Sequence, residues 1–358
     1  MDLPDEAYLT GIASIPGVGP ATMRNELAAG TPPEAWERLR SRPGAPTDLE
    51  RVWARHQEAG IVVCGQQHPA FPDLLRDDPE PPAVLFCRGD LAVLERRRVA
   101  VVGTRSASRY GLGVAERLGE RLGAAGVAVV SGLALGVDGA VHRGLLHTGG
   151  APPVGVVACG LDVVYPGRHR DLWQRVGAEG LLVSEMPLGL RPTRWSFPAR
   201  NRIIAGLSEV VVVVESRQTG GSLYTADSAL LRDIPLLAVP GPITSPAAYG
   251  TNRLIADGAT PVCSVDDVFV TLGLTSPTGG STPVPEPGGV AGRVLDACAH
   301  ESVTLQALVD RSGLTLPETV AAIDDLCRTG WLAESTGRYE RTTPVAVPAL
   351  DVGARARR

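Results

Sequence analysis

The sequence predicts an α/β protein whose core is a doubly wound, mostly parallel (Rossmann-like) sheet. Short runs of Val and Leu alternate with helical segments along the middle of the chain, and these runs are nearly continuous. Such runs are typical of strands covered by helices on both faces. Polar loops containing glycine follow several of them, and 358 residues are enough for two or three domains. We therefore expect an N-terminal helical domain and a C-terminal winged-helix domain beside this sheet.

The central stretch, residues 98–139, has the pattern of strand, loop, helix and strand. The apolar run 99–102 stops at the loop GTRSASRYG of residues 103–111, which leads into an amphipathic helix. The second run, 127–130, ends in the same way at Ser131. In an open α/β sheet, ligands bind at the carboxyl ends of the strands, where these two loops should lie.

The first of these loops has the chemistry of a phosphate site. A helix N-terminus offers unpaired amides and a partial positive charge, and a neighbouring arginine adds a bidentate donor. We therefore expect Gly103, Thr104, Arg105 and Ser108 to bind phosphate. The alternative is that Gly103 and Gly111 only permit tight turns.

Two familiar phosphate-binding motifs are absent from the sequence. A dinucleotide fingerprint needs G-x-G-x-x-G and an acidic residue near the end of the second strand, but that strand ends at Ser131. A P-loop needs a lysine, and the chain contains none. The sequence thus argues against NAD binding and excludes ATP hydrolysis of the P-loop type, and we expect no cofactor.

Further apolar runs predict strands after the central stretch, at 154–158, 181–184, 209–214 and 236–239. Polar loops follow the first three of them. The last of these loops carries two glycines at a helix start, which suits a second phosphate. The DNA- or phosphate-binding residues that we predict in the three loops are Arg168, Arg194, Arg200, Asn201, Arg202, Gly220, Gly221 and Ser222.

The charge distribution favours a polyanionic partner, although the net charge is −5. A negative net charge over the whole chain argues against a nucleic-acid partner. However, the arginines within 96–109 and within 191–202 lie in acid-free stretches where loops are expected, and local clusters can bind polyanions. Trp195 and Phe197 suit single-stranded nucleic acid, because aromatic side chains stack on its bases. The alternative is that they anchor a long loop in the core.

The flanking regions differ from the central one in composition. Residues 1–58 have helical patterns, and IPGVGP at 15–20 has the form of a helix-hairpin-helix turn, whose backbone amides contact nucleic-acid phosphates. The alternative is a helical hairpin that only packs on the main domain. Five prolines between 69 and 82 predict a loop. The expected boundaries are 1–58 for the helical domain, 59–275 for the Rossmann-like domain, 276–289 for a linker, 290–345 for the winged-helix domain and 346–358 for a tail.

The winged-helix prediction rests on three short amphipathic segments followed by a hairpin pattern. The third segment carries Glu318, Asp324 and Asp325, so the face that would enter a major groove is acidic. We expect this domain to contact a protein rather than to recognise bases.

Signals for an enzyme or a membrane protein are weak. Asp138 and His142 lie four residues apart on one predicted helix face, but the chain has no G-x-S-x-G or H-E-x-x-H motif. We expect neither catalysis nor a bound metal. The six cysteines form no C-x-x-C pair, and no apolar run approaches the roughly 20 residues that span a bilayer. We expect a cytoplasmic protein without membrane contact.

Several motifs resemble the DNA-processing protein A (DprA/Smf) family over nearly the whole chain. The matching motifs are GTRSASRYG from Gly103, SGLALGVDGAVHRGLL from Ser131, YPGRH from Tyr165, FPARNRIIAGLS from Phe197, GGSLYTA from Gly220 and VPGPITSPAAYGTNRLIADGA from Val239. The resemblance implies a cytoplasmic bacterial protein that binds single-stranded DNA, works as a dimer and helps to load a RecA-type recombinase during natural transformation.

The family resemblance also implies roles for particular residues. Family members hold DNA with the G-[ST]-R loop and with basic residues around the pocket, which implies this role for Arg105 and Arg194. Many members have Lys after the YP dipeptide, where this chain has Gly167 beside Arg168.

A second interpretation belongs to a different functional class. Phosphoribohydrolases that resemble lysine-decarboxylase-like Rossmann enzymes also pair a Gly-Gly helix start with an arginine. They show G-G-x-G-T and a glutamate in the following helix, whereas here Ser222 is followed by Leu223 and the acidic residue is Asp227. The alternative function is therefore a nucleoside-monophosphate phosphoribohydrolase.

Overall fold

The Val and Leu runs form a nine-stranded sheet within residues 3–275 of the computed structural model, which also describes residues 286–298, 301–335 and 337–342. The strands are β1 (Val62–Gly65), β2 (Val84–Gly89), β3 (Arg98–Val102), β4 (Ala128–Ser131), β5 (Val154–Val156), β6 (Leu181–Ser184), β7 (Val210–Val213), β8 (Leu236–Ala238) and β9 (Thr260–Pro261). Their order across the sheet is β1-β2-β6-β5-β4-β3-β7-β8-β9. Neighbours from β6 to β9 are parallel, whereas β1–β2 and β2–β6 are antiparallel.

Helices cover both faces of the parallel part, so the predicted doubly wound fold is confirmed. The helices of this region are α1 (Asp5–Ala13), α2 (Pro20–Ala28), α3 (Pro32–Leu39), α4 (Leu49–Glu58), α5 (Asp73–Arg76), α6 (Arg109–Ala124), α7 (Val137–Thr148), α8 (Arg170–Glu179), α9 (Ser196–Gly206), α10 (Leu223–Leu230), α11 (Tyr249–Ala256) and α12 (Val265–Thr271). Ile203 of α9 and Ala226 of α10 pack on one face of the sheet. Leu118 of α6 and Val141 of α7 pack on the other.

The N-terminal helices α1 to α4 lie against the antiparallel edge of the sheet. Ile12 and Trp36 share a buried cluster with Val63 of β1, Phe86 of β2 and Trp173 of α8. This shared core places the helices within the same compact unit as the sheet, Met1–Ser276. The boundary at residue 58 stays a prediction.

The proline-rich stretch 69–82 contains one turn of helix, α5, so the prediction of a loop throughout was wrong at these four residues. None of the four is a proline, and Leu75 is buried in the core. Just beyond α5, the Asp78 carboxylate forms a buried ion pair with Arg232, with oxygen–nitrogen distances of 2.6 and 2.8 Å. This pair attaches the stretch to the turn that follows α10.

The second compact unit, Pro277–Arg358, has its own small core. Its described elements are α13 (Gly289–Ala297), β10 (Val303–Thr304), α14 (Leu305–Ser312), α15 (Leu316–Arg328), β11 (Leu332–Ser335) and β12 (Arg338–Arg341). The strands pair in the order β10-β12-β11, and the helices pack through Leu295, Leu308 and Leu326. The winged-helix assignment stays a prediction. Residues 276–285 of the predicted linker and the whole predicted tail, 346–358, lie outside the described residues.

No helix among the described residues combines the length and the apolar character needed to cross a membrane.

Glycines allow α6 and α7 to pack closely where they meet. A Cβ atom at Gly119 would lie 2.8 Å from the Leu145 amide nitrogen and closer still to the Val141 carbonyl oxygen. A Cβ at Gly144 would lie 2.8 Å from the Glu116 carbonyl carbon. In contrast, a Cβ at the exposed Gly113 of α6 would meet nothing within 4 Å.

Two alanine substitutions in α6 should therefore change stability in opposite directions. Gly119→Ala should lower the free energy of unfolding by about 1–3 kcal/mol, because the helices must move apart. Gly113→Ala should raise it by about 0.5–1 kcal/mol, because alanine favours the helix and meets no neighbour. Thermal and denaturant unfolding of both variants checks this. If the free energy of unfolding changes in the same direction in both variants, the close packing of α6 against α7 at Gly119 is contradicted.

Candidate nucleic-acid interface

A cavity of about 610 Å³ lies beyond the carboxyl ends of β3, β4 and β7. Loops that follow these strands, together with the start of α9, form its walls. Most of the predicted site residues line it: Gly103, Thr104, Arg105, Arg194, Arg200, Asn201, Gly220, Gly221 and Ser222. We call it the arginine cavity, because four arginines, Arg105, Arg194, Arg200 and Arg217, line it together with a single carboxylate, that of Asp138.

Three of these arginines are available to a ligand. Arg105, Arg194 and Arg217 are exposed, and none forms an ion pair with another residue in the described part of the chain. Arg217 was missed by the sequence analysis, although it lies three residues after the predicted strand 209–214, in the same loop as the two predicted glycines. Its position in a loop that follows a buried strand is the signal that could have identified it.

Aromatic rings continue from the arginine cavity along the same edge of the sheet. The Arg105 guanidinium carbon lies 4.7 Å from the centroid of the Phe197 ring, within the range of a cation–π contact. Phe197 in turn lies 5.7 Å from the ring of Tyr165, with the two planes inclined by 46°. Tyr165 is 42% exposed and Trp195 is 51% exposed. Trp195 is therefore open to solvent rather than a core anchor, whereas Phe197 is half-buried between Arg105 and Tyr165.

Arg200 has a different role, because its side chain is buried. The guanidinium donates to the Gly132 carbonyl at 2.7 Å and to the Val156 carbonyl, and Nε donates to Asn201 Oδ1 at 3.2 Å. Burial lowers the pKa of Arg200, and the neighbouring Asp138 carboxylate partly opposes this effect. Arg200 thus forms the floor of the arginine cavity and joins α9 to the ends of β4 and β5.

The remaining predicted residues do not line the arginine cavity. Arg202 is buried, donating to Glu185 Oε1 at 2.5 Å and to the Glu80 carbonyl at 2.7 Å. Arg168 is exposed in a 3₁₀ turn, Gly167–His169, outside the cavity wall. Ser108 is the N-cap of α6.

The N-terminus of α6 is already occupied by a carboxylate of the protein itself. Glu215, which follows β7, is buried and accepts from the Ser108 amide at 2.8 Å and from the Ser108 hydroxyl. A Cβ at Gly111 would lie 2.5 Å from the Glu215 carboxyl carbon, so glycine is required there to make room. The second glycine of GTRSASRYG therefore admits an internal anion, which takes the position that a phosphate would need.

The amides of the loop between β4 and α7 are likewise paired with a carboxylate of the protein itself. The Asp138 carboxylate accepts from the Gly132 amide at 3.1 Å and from the Ala134 amide at 3.4 Å. Burial raises the pKa of Asp138, while Arg200 and these two amides oppose the rise. Asp138 is thus a structural acceptor for its own loop.

The N-terminus of α10 is open to the arginine cavity. The amides of Gly221 and Ser222 have no hydrogen-bond acceptor among the described residues, and both residues line the cavity. The Ser222 hydroxyl donates to Ser216 Oγ at 2.9 Å, and Asn201 Nδ2 donates to the Gly221 carbonyl at 3.1 Å, so the turn is held from behind. A negatively charged ligand can therefore meet unpaired amides here.

His142 does not pair with Asp138. Both of its ring nitrogens are buried without a hydrogen-bond partner in the described structure. Burial lowers the pKa of His142 to about 3, with smaller contributions from His169 and Arg143. The side chain is neutral near pH 7 and does not line the arginine cavity.

One group of side chains in the described part of the chain has the spacing of metal ligands. Glu116, Glu120 and His147 bring their donor atoms within 4.8 Å of one another on α6 and α7. They do not line the arginine cavity, and exposed acidic groups commonly cluster in this way without a metal.

The fold and the cavity together define a class of protein. A doubly wound sheet with unpaired amides and free arginines at its carboxyl edge is typical of α/β proteins that bind phosphate groups.

Comparison with known proteins identifies the family. A model of the DNA recombination-mediator protein A family matches residues 62–273. DNA processing protein DprA of Bacillus subtilis is 39% identical over 225 residues, which cover 63% of this chain and 75% of that protein. Protein Smf of Escherichia coli is 34% identical over 319 residues, covering 85% and 83%. The chain belongs to the DNA recombination-mediator protein A (DprA/Smf) family, whose members are DNA-binding mediators and not enzymes.

Two solved structures of relatives share the fold. DprA of Streptococcus pneumoniae matches with a TM-score of 0.66 and 29% identity, covering 75% of this chain and 98% of that one. DNA processing protein A of Helicobacter pylori, described for its single-stranded DNA binding mode, matches with a TM-score of 0.53 and 31% identity, covering 59% and 95%.

The lowered pKa of His142 predicts a pH effect on stability. Below pH 6.5 the unfolded chain takes up a proton on this histidine, whereas the folded protein does not do so until about pH 3. The free energy of unfolding should therefore fall by up to about 1.4 kcal/mol per pH unit as the pH drops through this window. In His142→Leu this contribution is absent, so denaturant unfolding between pH 6.5 and 4 should show a shallower decline than in the unmodified protein. If the free energy of unfolding declines equally in the two proteins, the prediction for His142 is wrong.

Proposed function

We propose that the chain binds single-stranded DNA in the arginine cavity and assists the loading of a RecA-type recombinase during natural transformation. The observation that carries the proposal is the combination of free guanidinium groups at Arg105, Arg194 and Arg217 with the open N-terminus of α10. Each of these groups can neutralise or hydrogen-bond a backbone phosphate without selecting a base. The homologous H. pylori protein, described for its single-stranded DNA binding mode, supports the choice of ligand.

The aromatic side chains favour a single strand over a duplex. Bases of a single strand are free to stack on exposed rings. Tyr165 offers one such ring beside Phe197, and Tyr224 offers another in the cavity wall. In a duplex the base faces are covered by their neighbours, so these rings would gain little contact.

We further propose that the chain works as a homodimer in the cytoplasm and that its protein partner is a RecA-type recombinase. The description of the family as recombination mediators supports a recombinase as the partner of the bound complex. The phosphoribohydrolase alternative is not favoured, since Asp227 of α10 does not line the arginine cavity. Release of free base from nucleoside monophosphates would be the observation in its favour.

Substitution of the exposed arginines tests the DNA path. Arg105→Ala and Arg194→Ala should each weaken binding of a labelled single strand and reduce the slope of log affinity against log salt by about 0.7, because each removes one phosphate contact. Fluorescence anisotropy at several salt concentrations is the measurement. Arg175→Ala is a matched control, since this partly exposed arginine pairs with Glu179 at the end of α8, at the opposite edge of the sheet. Unchanged affinity and slope in both cavity variants would exclude this path.

The C-terminal unit should be dispensable for single-strand binding. Helix α15 carries Glu318, Asp324 and Asp325. Glu318 caps the start of the helix, whereas Asp324 and Asp325 lie further along it and take no part in the cap. An acidic helix is repelled by a polyanion, so a chain ending at Ser276 should bind as tightly as the full chain in the same anisotropy assay. A clear loss of affinity in the shortened chain would show that the second unit contributes to binding.

A further inference from the structure

A second and larger space, of about 780 Å³, lies between the N-terminal helices and the start of α9. We call it the hairpin groove, because the IPGVGP turn at 15–20 forms one wall. The opposite wall includes Glu185, Trp195 and Pro198. Pro198 also lines the arginine cavity, and Trp195 directly follows Arg194, which lines that cavity too. A strand that leaves the arginine cavity past Pro198 therefore enters this groove.

The hairpin wall offers hydrogen-bond donors to an anion. The N-cap of α2 is Gly19, which has no side chain to cap the helix, and the amides of Ala21 and Thr22 find no acceptor among the described residues. Arg24, one turn further along, lines the same groove. Unpaired amides at a helix N-terminus, together with a nearby arginine, suit a phosphate oxygen.

The opposite wall offers a ring and an unused acceptor. The indole of Trp195 is about half exposed and makes none of the described cation–π or ring–ring contacts. The Glu185 side chain is only 4% exposed; its Oε1 accepts from Arg202, but Oε2 has no hydrogen-bond partner in the described structure. A buried polar atom without a partner is costly, so a donor from a ligand would satisfy it. Nucleobases present both a face for stacking and N–H donors at the edge.

We infer that the hairpin groove binds one further nucleotide of the same single strand, with its phosphate at the amides of Ala21 and Thr22 and its base on Trp195 facing Glu185. This inference rests on the proposed function, because it extends the path that begins in the arginine cavity. It gives the N-terminal helices a direct role in DNA binding.

A stacking variant tests the base position. Trp195→Ala should weaken binding of long single strands by about 5- to 150-fold, the range for losing one aromatic stack, while Trp195→Phe should keep most of the affinity. The comparison strand is the shortest oligonucleotide whose binding requires Arg105. Its affinity should be the same in both Trp195 variants, because it ends before the groove. Fluorescence anisotropy on the full chain measures both strands.

An amide variant tests the phosphate position independently. Ala21→Pro removes one N–H donor at the second position of α2, and α3 shows that this chain tolerates consecutive prolines there, at Pro32 and Pro33. The variant should bind long strands about tenfold more weakly, as expected for a hydrogen bond to a charged group. Ala21→Ser keeps the amide and should bind normally. Unchanged thermal unfolding confirms that both proteins are folded.

The possible results separate the two proposals. Loss of long-strand affinity in Trp195→Ala and Ala21→Pro, with the shortest strand unaffected, supports the groove. Normal long-strand binding by both variants, or equal losses on short and long strands, overturns it. If instead Arg105→Ala leaves strands of every length bound normally, the arginine cavity itself is wrong, and the function proposed above fails rather than the extension alone.

Discussion

The buried guanidinium of Arg200 is the interaction on which the candidate site depends. It comes from α9, donates to the carbonyls of Gly132 and Val156 at the ends of two strands, and lies beside Asp138. A guanidinium removed from water is costly unless acceptors and an opposite charge surround it. The loops after β4 and β5 must therefore stay in place around Arg200, and the floor of the cavity is fixed before any ligand arrives.

The sequence predicts the sheet well because its strands are buried. Each Val or Leu run that predicted a strand forms one, from β3 to β8, since only strands covered on both faces need uninterrupted apolar side chains. The short strand β9 was missed because Thr260 and Pro261 are exposed and give no apolar signal. The antiparallel pairing of β2 was also not predicted, because apolar runs do not encode the direction of a neighbouring strand.

The site is less predictable because one residue type has opposite roles within a single motif. In the stretch 191–202, Arg194 is exposed in the cavity wall, whereas Arg200 and Arg202 are buried among carbonyls and a carboxylate. Their spacing gives no sign of this difference, since it depends on partners distant in the chain. Ser108 and Glu215 are 107 residues apart, yet the carboxylate occupies the helix start that the loop chemistry assigned to phosphate.

Internal carboxylates help to define where an external anion can bind. A carboxylate at the start of α6 competes with phosphate for the same amides and repels it, and Asp138 does the same for the amides before α7. The start of α10 keeps its amides free, with exposed arginines nearby in the same wall. A chain with a net charge of −5 can thus attract a polyanion at one place on its sheet edge. Because the Glu215 and Asp138 carboxylates at that edge are already paired inside the protein, the ligand meets three exposed arginines without ion-pair partners in the described structure, despite the acidic composition of the whole chain.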